Sequence, residues 1–278
     1  MAYARTRLGR WFYEDRGATK RAGDPAIVLL HGLLFDGGMW SRYVEPLSEI
    51  GRVLVFDGPG HGRSELPPPF SLEDHTDALL DALTTLDAKR AVFVGLSWGG
   101  MVAMRAALHS PDRVAAIVLL DTSAEAEDKK NAVKYRVLAS FARRFGLPPF
   151  LAHGEMARIL FGARTREQHP EIVERWARTV NGYSRDGVAR AAKAVVIHRK
   201  SIADRLGSIT SPTLVVCGRD DAATEPAQSE AIARAIPGAR LEWIEGAAHM
   251  SAIEQPEAVA KVLVPFVRLV IGEVTQRA

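Results

Sequence analysis

Ser97 stands in Gly95-Leu96-Ser97-Trp98-Gly99-Gly100, between the apolar run Ala91-Val92-Phe93-Val94 and a small-residue helical segment beginning at Met101. A serine on so tight a strand-to-helix turn is held in a strained backbone conformation, with its hydroxyl raised above the sheet. Gly95 and Gly99 have a steric reason to be there, because a Cβ at either position would crowd the turn. The helix that follows starts with free N–H groups and the positive end of its dipole, and both favour negative charge developing nearby. These features predict a nucleophile, which a serine hydroxyl becomes only when a base takes its proton. Eight histidines are available as that base, and Gly218-Arg219-Asp220-Asp221 offers two carboxylates to support one. The N–H of Trp98, next after the serine, is placed to donate to an oxyanion.

Such a turn needs a sheet beneath it. Short apolar runs at residues 26–31, 52–57, 91–95 and 115–121 are hydrophobic almost without alternation, as strands buried on both faces of a parallel sheet are. A helix is expected between two of them at 72–86, with Ser71 as its cap and Glu73 and Asp74 in its first turn. The pattern resumes with strand 213–217, a helix around 227–235, strand 240–244 and a last helix from Pro256; residues 6–13 suit an edge strand or part of a hairpin. Between 122 and 205 no β-rich run occurs. Apolar stripes recur there at helical spacing: Val133, Val137, Phe141 and Phe145; Ile172, Trp176 and Val180; Val188, Ala192 and Val196. Pro148-Pro149 and His169-Pro170 break the helices apart. The expected fold is therefore α/β, a mostly parallel, doubly wound sheet with an inserted helical cap, with a core of 1–121 and 206–278 and a cap of 122–205.

Composition narrows the partners. The 278 residues are 47% hydrophobic and 25% charged, as in ordinary globular proteins, with 36 basic against 33 acidic side chains and no block of like charge. Nucleic acid is not an expected partner. The longest apolar stretches are far too short to span a bilayer, so no membrane partner is expected either. The first residues have no signal-peptide core, and the single cysteine, Cys217, excludes an internal disulfide; both suit a cytoplasmic location. Cys217 lies in a strand-like run and reads as a small buried side chain. The pairs His75 and Asp77, His109 and Asp112, and His153 and Glu155 read as solvated surface groups, and no metal is expected. His198 and most of Arg143, Arg144, Arg158 and Arg178 are expected on solvated helix faces. Neither a dinucleotide-binding nor a P-loop pattern occurs, so no cofactor is expected.

Together these motifs resemble the α/β-hydrolase family over essentially the whole chain. The resemblance is carried by G-L-S-W-G-G, H-G-L-L at 31–34, D-G-P-G-H-G-R-S at 57–64, C-G-R-D-D at 217–221, and A-A-H-M ahead of E-Q-P-E-A-V, all in family order. It implies Ser97 as nucleophile, Asp221 as acid (with Asp220 the alternative) and His249 as base, in that chain order. It implies oxyanion donors in the backbone N–H groups of Leu33 and Trp98, and structural parts for His31, Asp57, His61, Arg63 and Ser64. The stretch from Cys217 to Val264 is most similar to 3-oxoadipate enol-lactonases and cofactor-free esterases, apart from Ala222-Ala223-Thr224-Glu225-Pro226, which departs from a proline-rich turn common there. The implied function is hydrolysis of a small or medium carboxylic ester or lactone, and the apolar stripes of the cap suggest a hydrophobic substrate. Hydrolysis of a diketone C–C bond, perhydrolysis of the haloperoxidase type, and a ligand-binding receptor that keeps the triad stand as alternatives. Relatives with an aspartate nucleophile are disfavoured, because serine occupies that position. Oligomeric state is not legible.

Overall fold

The computed structural model describes residues 2–19 and 23–277. Its strands are β1 (Ala2–Thr6), β2 (Gly9–Arg16), β3 (Ala26–Leu30), β4 (Val53–Phe56), β5 (Ala91–Leu96), β6 (Val114–Leu120), β7 (Thr213–Gly218) and β8 (Arg240–Ile244). They form one sheet in the order β1-β2-β4-β3-β5-β6-β7-β8. The hairpin β1–β2 joins antiparallel to β4, and every pairing from β4 to β8 is parallel. Residues 6–13 thus span the hairpin turn and the start of its second strand. Strands β3 to β7 are buried at every residue, which is why their sequences run apolar without alternation.

Helices cover both faces. On one, Tyr43 and Leu47 of α1 (Ser41–Ser48) and Leu263 and Val267 of the C-terminal helix Pro256–Arg277 pack with Val94 and Val118. On the other, Leu79 and Leu83 of α2 (Leu72–Thr85), Val102 of α3 (Trp98–His109) and Ile232 of helix Pro226–Ala235 pack with Phe93 and Ile117. Alternate residues of β5 therefore serve opposite layers, as the pleat requires. Each fully buried aliphatic side chain of this kind contributes roughly 1.5–3 kcal/mol. Ser71 caps α2 in a reciprocal pair with Asp74, satisfying two helix-end donors that would otherwise be unpaired.

Between β6 and β7 every regular element among the described residues is helical, including α4 (Lys129–Phe145), Pro149–Leu151, Ala157–Leu160, Ala163–Gln168, Pro170–Asn181 and Arg185–Ala192. This insertion is fastened over the loop that follows β3. Trp176 stacks on Phe35 and its Nε1 donates to the Leu34 carbonyl at 3.2 Å. The Tyr183 hydroxyl donates to Asp36 Oδ2 at 2.8 Å. Backbone meets backbone where Gly60 (φ +75°) faces Gly187, and a Cβ on Gly187 would lie 2.6 Å from the Gly60 oxygen.

The apolar stripes of the insertion do not all face the same way. Trp176 and Val180 are buried, as an inward stripe would be. Val133, Val137, Phe141 and Phe145 are instead 59%, 64%, 37% and 62% exposed. The edge of α4 turned inward holds Leu138, Ala139 and Ala142, and the helix packs against Arg185–Ala192. A spacing of four marks one edge of a helix without saying what that edge faces. No described helix is long and apolar enough to cross a membrane.

The contact at Gly187 leaves no room for a methyl group. Gly187→Ala should lower unfolding stability by about 1–3 kcal/mol through overpacking, read from urea unfolding; an unchanged midpoint would show that the insertion is not seated by this contact.

Candidate active site

The register of the parallel strands brings their C-terminal ends level, with Leu96 opposite Leu120 and Gly218 opposite Ile244. Residues that leave the sheet at this edge come together, as is usual at the carboxyl ends of such strands. Ser97 is the first residue beyond β5 and the N-cap of α3, at φ 51° and ψ −110°. A non-glycine residue there is strained by about 1–3 kcal/mol. The turn is held by the Ser97 N–H donating to the Leu120 carbonyl at 2.8 Å and by the Thr122 hydroxyl donating to the Ser97 carbonyl at 2.7 Å. It also depends on bare backbone. A Cβ on Gly95 would stand 2.2 Å from the Gly99 carbonyl carbon, and one on Gly99 would stand 2.2 Å from the Leu30 oxygen.

His249 lies in the loop after β8 and is buried. Its Nδ1 is 3.0 Å from Asp221 Oδ2 and 3.1 Å from Oδ1, so an Nδ1–H donated to that carboxylate leaves Nε2 free for the site. Asp221 accepts from the N–H groups of Ala223 (2.8 Å) and Thr224 (3.0 Å) and from the Thr224 hydroxyl (2.8 Å). Asp220, by contrast, is exposed. Burial lowers the pKa of His249, but the charge and hydrogen bond of Asp221 outweigh it and hold the imidazole above its ordinary value. Burial acts on Asp221 in the opposite sense, and the attraction of His249 with the Thr224 bonds keeps its carboxyl below the usual range.

A second carboxylate, Asp121, leaves β6 beside this pair. It is fully buried, accepts from the Gly218 N–H at 2.8 Å, and is bonded to the Ser251 hydroxyl. Burial, reinforced by the charge of Asp221, pushes its carboxyl well above the usual range. Asp121, Cys217 and Asp221 place ligand-type atoms within 4.8 Å of one another. Their chemistry does not suit a metal: both carboxylates are committed to hydrogen bonds, and burial pushes the Cys217 thiol up to about 12.

The loop after β3 closes the other side. Leu33 lines the cavity with Ser97 and His249, and a Cβ on Gly32 would lie 3.7 Å from Ser97 Cβ. His31 holds this loop: its Nε2 accepts from the Gly58 N–H at 2.7 Å, leaving Nδ1 to donate to the Gly32 carbonyl. Burial lowers its pKa, which suits a neutral imidazole. Asp57 accepts from the N–H groups of Gly37 and Arg63, both at 2.9 Å, and His61 Nε2 accepts from the Leu34 N–H at 3.2 Å. Ser64 donates to the Asp57 carbonyl at 2.6 Å. These four side chains brace the loop rather than reach the cavity.

The cavity, about 190 Å³, runs from Ser97 and His249 into the insertion. Aliphatic side chains such as Leu138, Val188 and Val196 dominate its wall. Several contributors were not legible in the sequence. Thr224 lies in the turn that departs from the family pattern, yet it holds Asp221. Glu254 accepts from Gly162 N–H (2.7 Å), Thr165 Oγ1 (2.6 Å) and Ala248 N–H (2.9 Å), tying the insertion to the histidine loop. Arg199, buried and paired with Glu127, reaches the cavity too. His75, expected on the surface, is buried edge-on to Trp98 at 4.9 Å and Trp11 at 5.0 Å. The one signal for it was its place on the apolar side of α2 near Leu72 and Leu79. Arg144, Arg158, Arg178 and His198 are exposed, and Arg143, paired with Asp186, also borders the cavity.

Because Asp221 holds the His249 pKa up, Asp221→Asn should lower the imidazole titration midpoint while Asp220→Asn leaves it in place. Imidazole NMR across pH reads this directly, and an unchanged midpoint in Asp221→Asn would refute the coupling.

The chain matches the family described as alpha/beta hydrolase fold over residues 25–256. It is 28% identical over 246 residues to 3-oxoadipate enol-lactonase 1 of Acinetobacter baylyi, covering 88% of this chain and 89% of that one. Its fold superimposes on a thermophilic esterase from Thermogutta terrifontis with TM-score 0.88 and 32% identity, covering 97% and 98% of the two chains. The enol-lactonase from Burkholderia xenovorans gives TM-score 0.87 and 32% identity, covering 96% and 99%. The strand order, the serine turn and these likenesses agree: the chain belongs to the α/β-hydrolase family and is a hydrolase of its enol-lactonase-like branch.

Proposed function

We propose that the chain hydrolyses a small or medium carboxylic ester or lactone through Ser97, His249 and Asp221, with residues 122–205 acting as a cap over the site. The observation that carries this reading is the buried His249–Asp221 pair at 3.0 Å, with Ser97 and His249 on the wall of one apolar cavity. The names of the relatives, an esterase and two enol-lactonases, point to the same bond types.

In this reading His249 Nε2 takes the Ser97 hydroxyl proton as Oγ attacks the substrate carbonyl carbon. The oxyanion that forms accepts from the N–H groups of Leu33 and Trp98, the latter at the positive end of α3. Collapse breaks the bond to the leaving alcohol, which receives the proton from His249. An acyl-enzyme on Ser97 remains. Water then attacks the same carbonyl, gives a proton to His249, and releases the acid with the Ser97 hydroxyl restored. For a lactone the leaving alcohol stays tethered to the acyl group. Asp221 fixes the Nδ1–H tautomer and supports the imidazolium throughout. The aliphatic wall receives the apolar part of the substrate.

Ser97→Ala should lower kcat/KM on a short-chain activated ester by about 10³–10⁶-fold. The wild-type rate should rise with pH through a midpoint above the ordinary imidazole value of about 6.5, because the base works neutral and Asp221 raises its pKa. Equal rates for wild type and Ser97→Ala over esters and lactones would overturn the reading.

A further inference from the structure

Helix α4 has two unlike faces. Its inner edge, with Leu138, Ala139 and Ala142, walls the cavity. Its outer edge exposes Val133, Val137, Phe141 and Phe145, a strip about 18 Å long at 1.5 Å per residue. Phe150, in the short helix just beyond, is 71% exposed. The helix carries Lys129, Lys130, Lys134, Arg136, Arg143 and Arg144 and no acidic residue. The acids around it are engaged. Asp128 caps the helix, Glu127 pairs with Arg199, Glu155 with Lys134 and Asp186 with Arg143. Lys130, Arg136 and Arg144 have no acidic ion-pair partner among the described residues, and all three are exposed. At 100° per residue, Lys130 and Arg144 fall on the same side as the apolar strip, near its two ends, with Arg136 at its flank.

An exposed apolar strip with aromatic rings and surrounding cations is what an interfacial helix presents to anionic lipid. A second copy of the chain fits less well, since it would set two groups of like charges against each other. We propose that the outer face of α4, with Phe150, docks onto an anionic lipid surface. Phe141, Phe145 and Phe150 enter the headgroup boundary, while Lys130, Arg136 and Arg144 meet lipid phosphates. No described helix is long and apolar enough to cross a bilayer, and a helix lying in the interface needs no such length. Leu147 and Leu151, neighbours of Phe150, line the cavity, so docking sets the cavity wall against the lipid.

Full-length protein sedimented with phosphatidylcholine vesicles containing phosphatidylglycerol should bind about tenfold or more tightly than with phosphatidylcholine alone, and less tightly in high salt. The triple variant Phe141→Ser/Phe145→Ser/Phe150→Ser should lose about tenfold or more of that binding. Leu269→Ser, at an exposed apolar position on the C-terminal helix, should bind as wild type. The three phenylalanines do not line the cavity, so the triple variant should still turn over a soluble ester if folded. Lys130→Glu/Arg136→Glu/Arg144→Glu keeps the strip and should lose the preference for anionic vesicles. The proposal fails if wild type ignores the anionic vesicles, if both variants bind as wild type does, or if the face is buried in a solution dimer that the triple variant dissociates.

Discussion

Backbone passing against bare backbone at the β5–α3 junction is the constraint on which the site depends. Gly95 lies so close to Gly99, and Gly99 to the Leu30 carbonyl, that neither tolerates even a methyl group. That closeness leaves Ser97 its unusual backbone angles, with Leu120 and Thr122 holding the turn from β6. The strain is sustained because strands buried on both faces fix the ends of the turn. The same approach of α3 to the sheet sets the positive end of the helix beside the serine. The sheet edge thus positions Ser97, while Asp221 and His249 are presented by the loops that follow β7 and β8.

Charge at that edge is divided between two buried carboxyls of unlike surroundings. Asp221 has the imidazole of His249 and three donors from Ala223 and Thr224, all favouring its ionised form. Asp121 is more deeply buried, feels the negative charge of Asp221, and shifts the other way. Two carboxylates so near each other cannot both ionise readily, so the better-bonded one takes the charge. The single negative charge then faces His249, where it holds one tautomer and raises the proton affinity of the ring. Asp121 ties Gly218 to Ser251 and so links the ends of β6 and β7 to the segment after the histidine loop.

What the sequence revealed depended on how local each signal is. The buried strands were legible because burial on both faces forces an apolar run, and the serine turn because Gly95 must clear Gly99 within the same short motif. Chain order then separated His249 from the other histidines. Signals that depend on a distant partner were not legible. Glu254 reads as one more surface acid until Gly162 and Thr165 meet it across the fold. Thr224 was not legible for a different reason: its partner Asp221 is only three residues earlier, but the turn that holds it departs from the familiar pattern. The stripe on α4 is a true helical period, but period carries no sign, and the edge with Leu138, Ala139 and Ala142 is the one that faces the cavity.

Those long-range contacts also divide the molecule: the sheet edge places Ser97, Asp221 and His249, and the insertion, seated through Gly187, Trp176 and Glu254, supplies most of the cavity wall. The most direct test is of Ser97 itself. Wild-type protein treated with an organophosphonate ester and mapped by peptide mass spectrometry should carry one adduct, on Ser97, with labelling slowed sharply in His249→Asn. An unlabelled protein, or an adduct on any other residue, would contradict a serine nucleophile activated by His249.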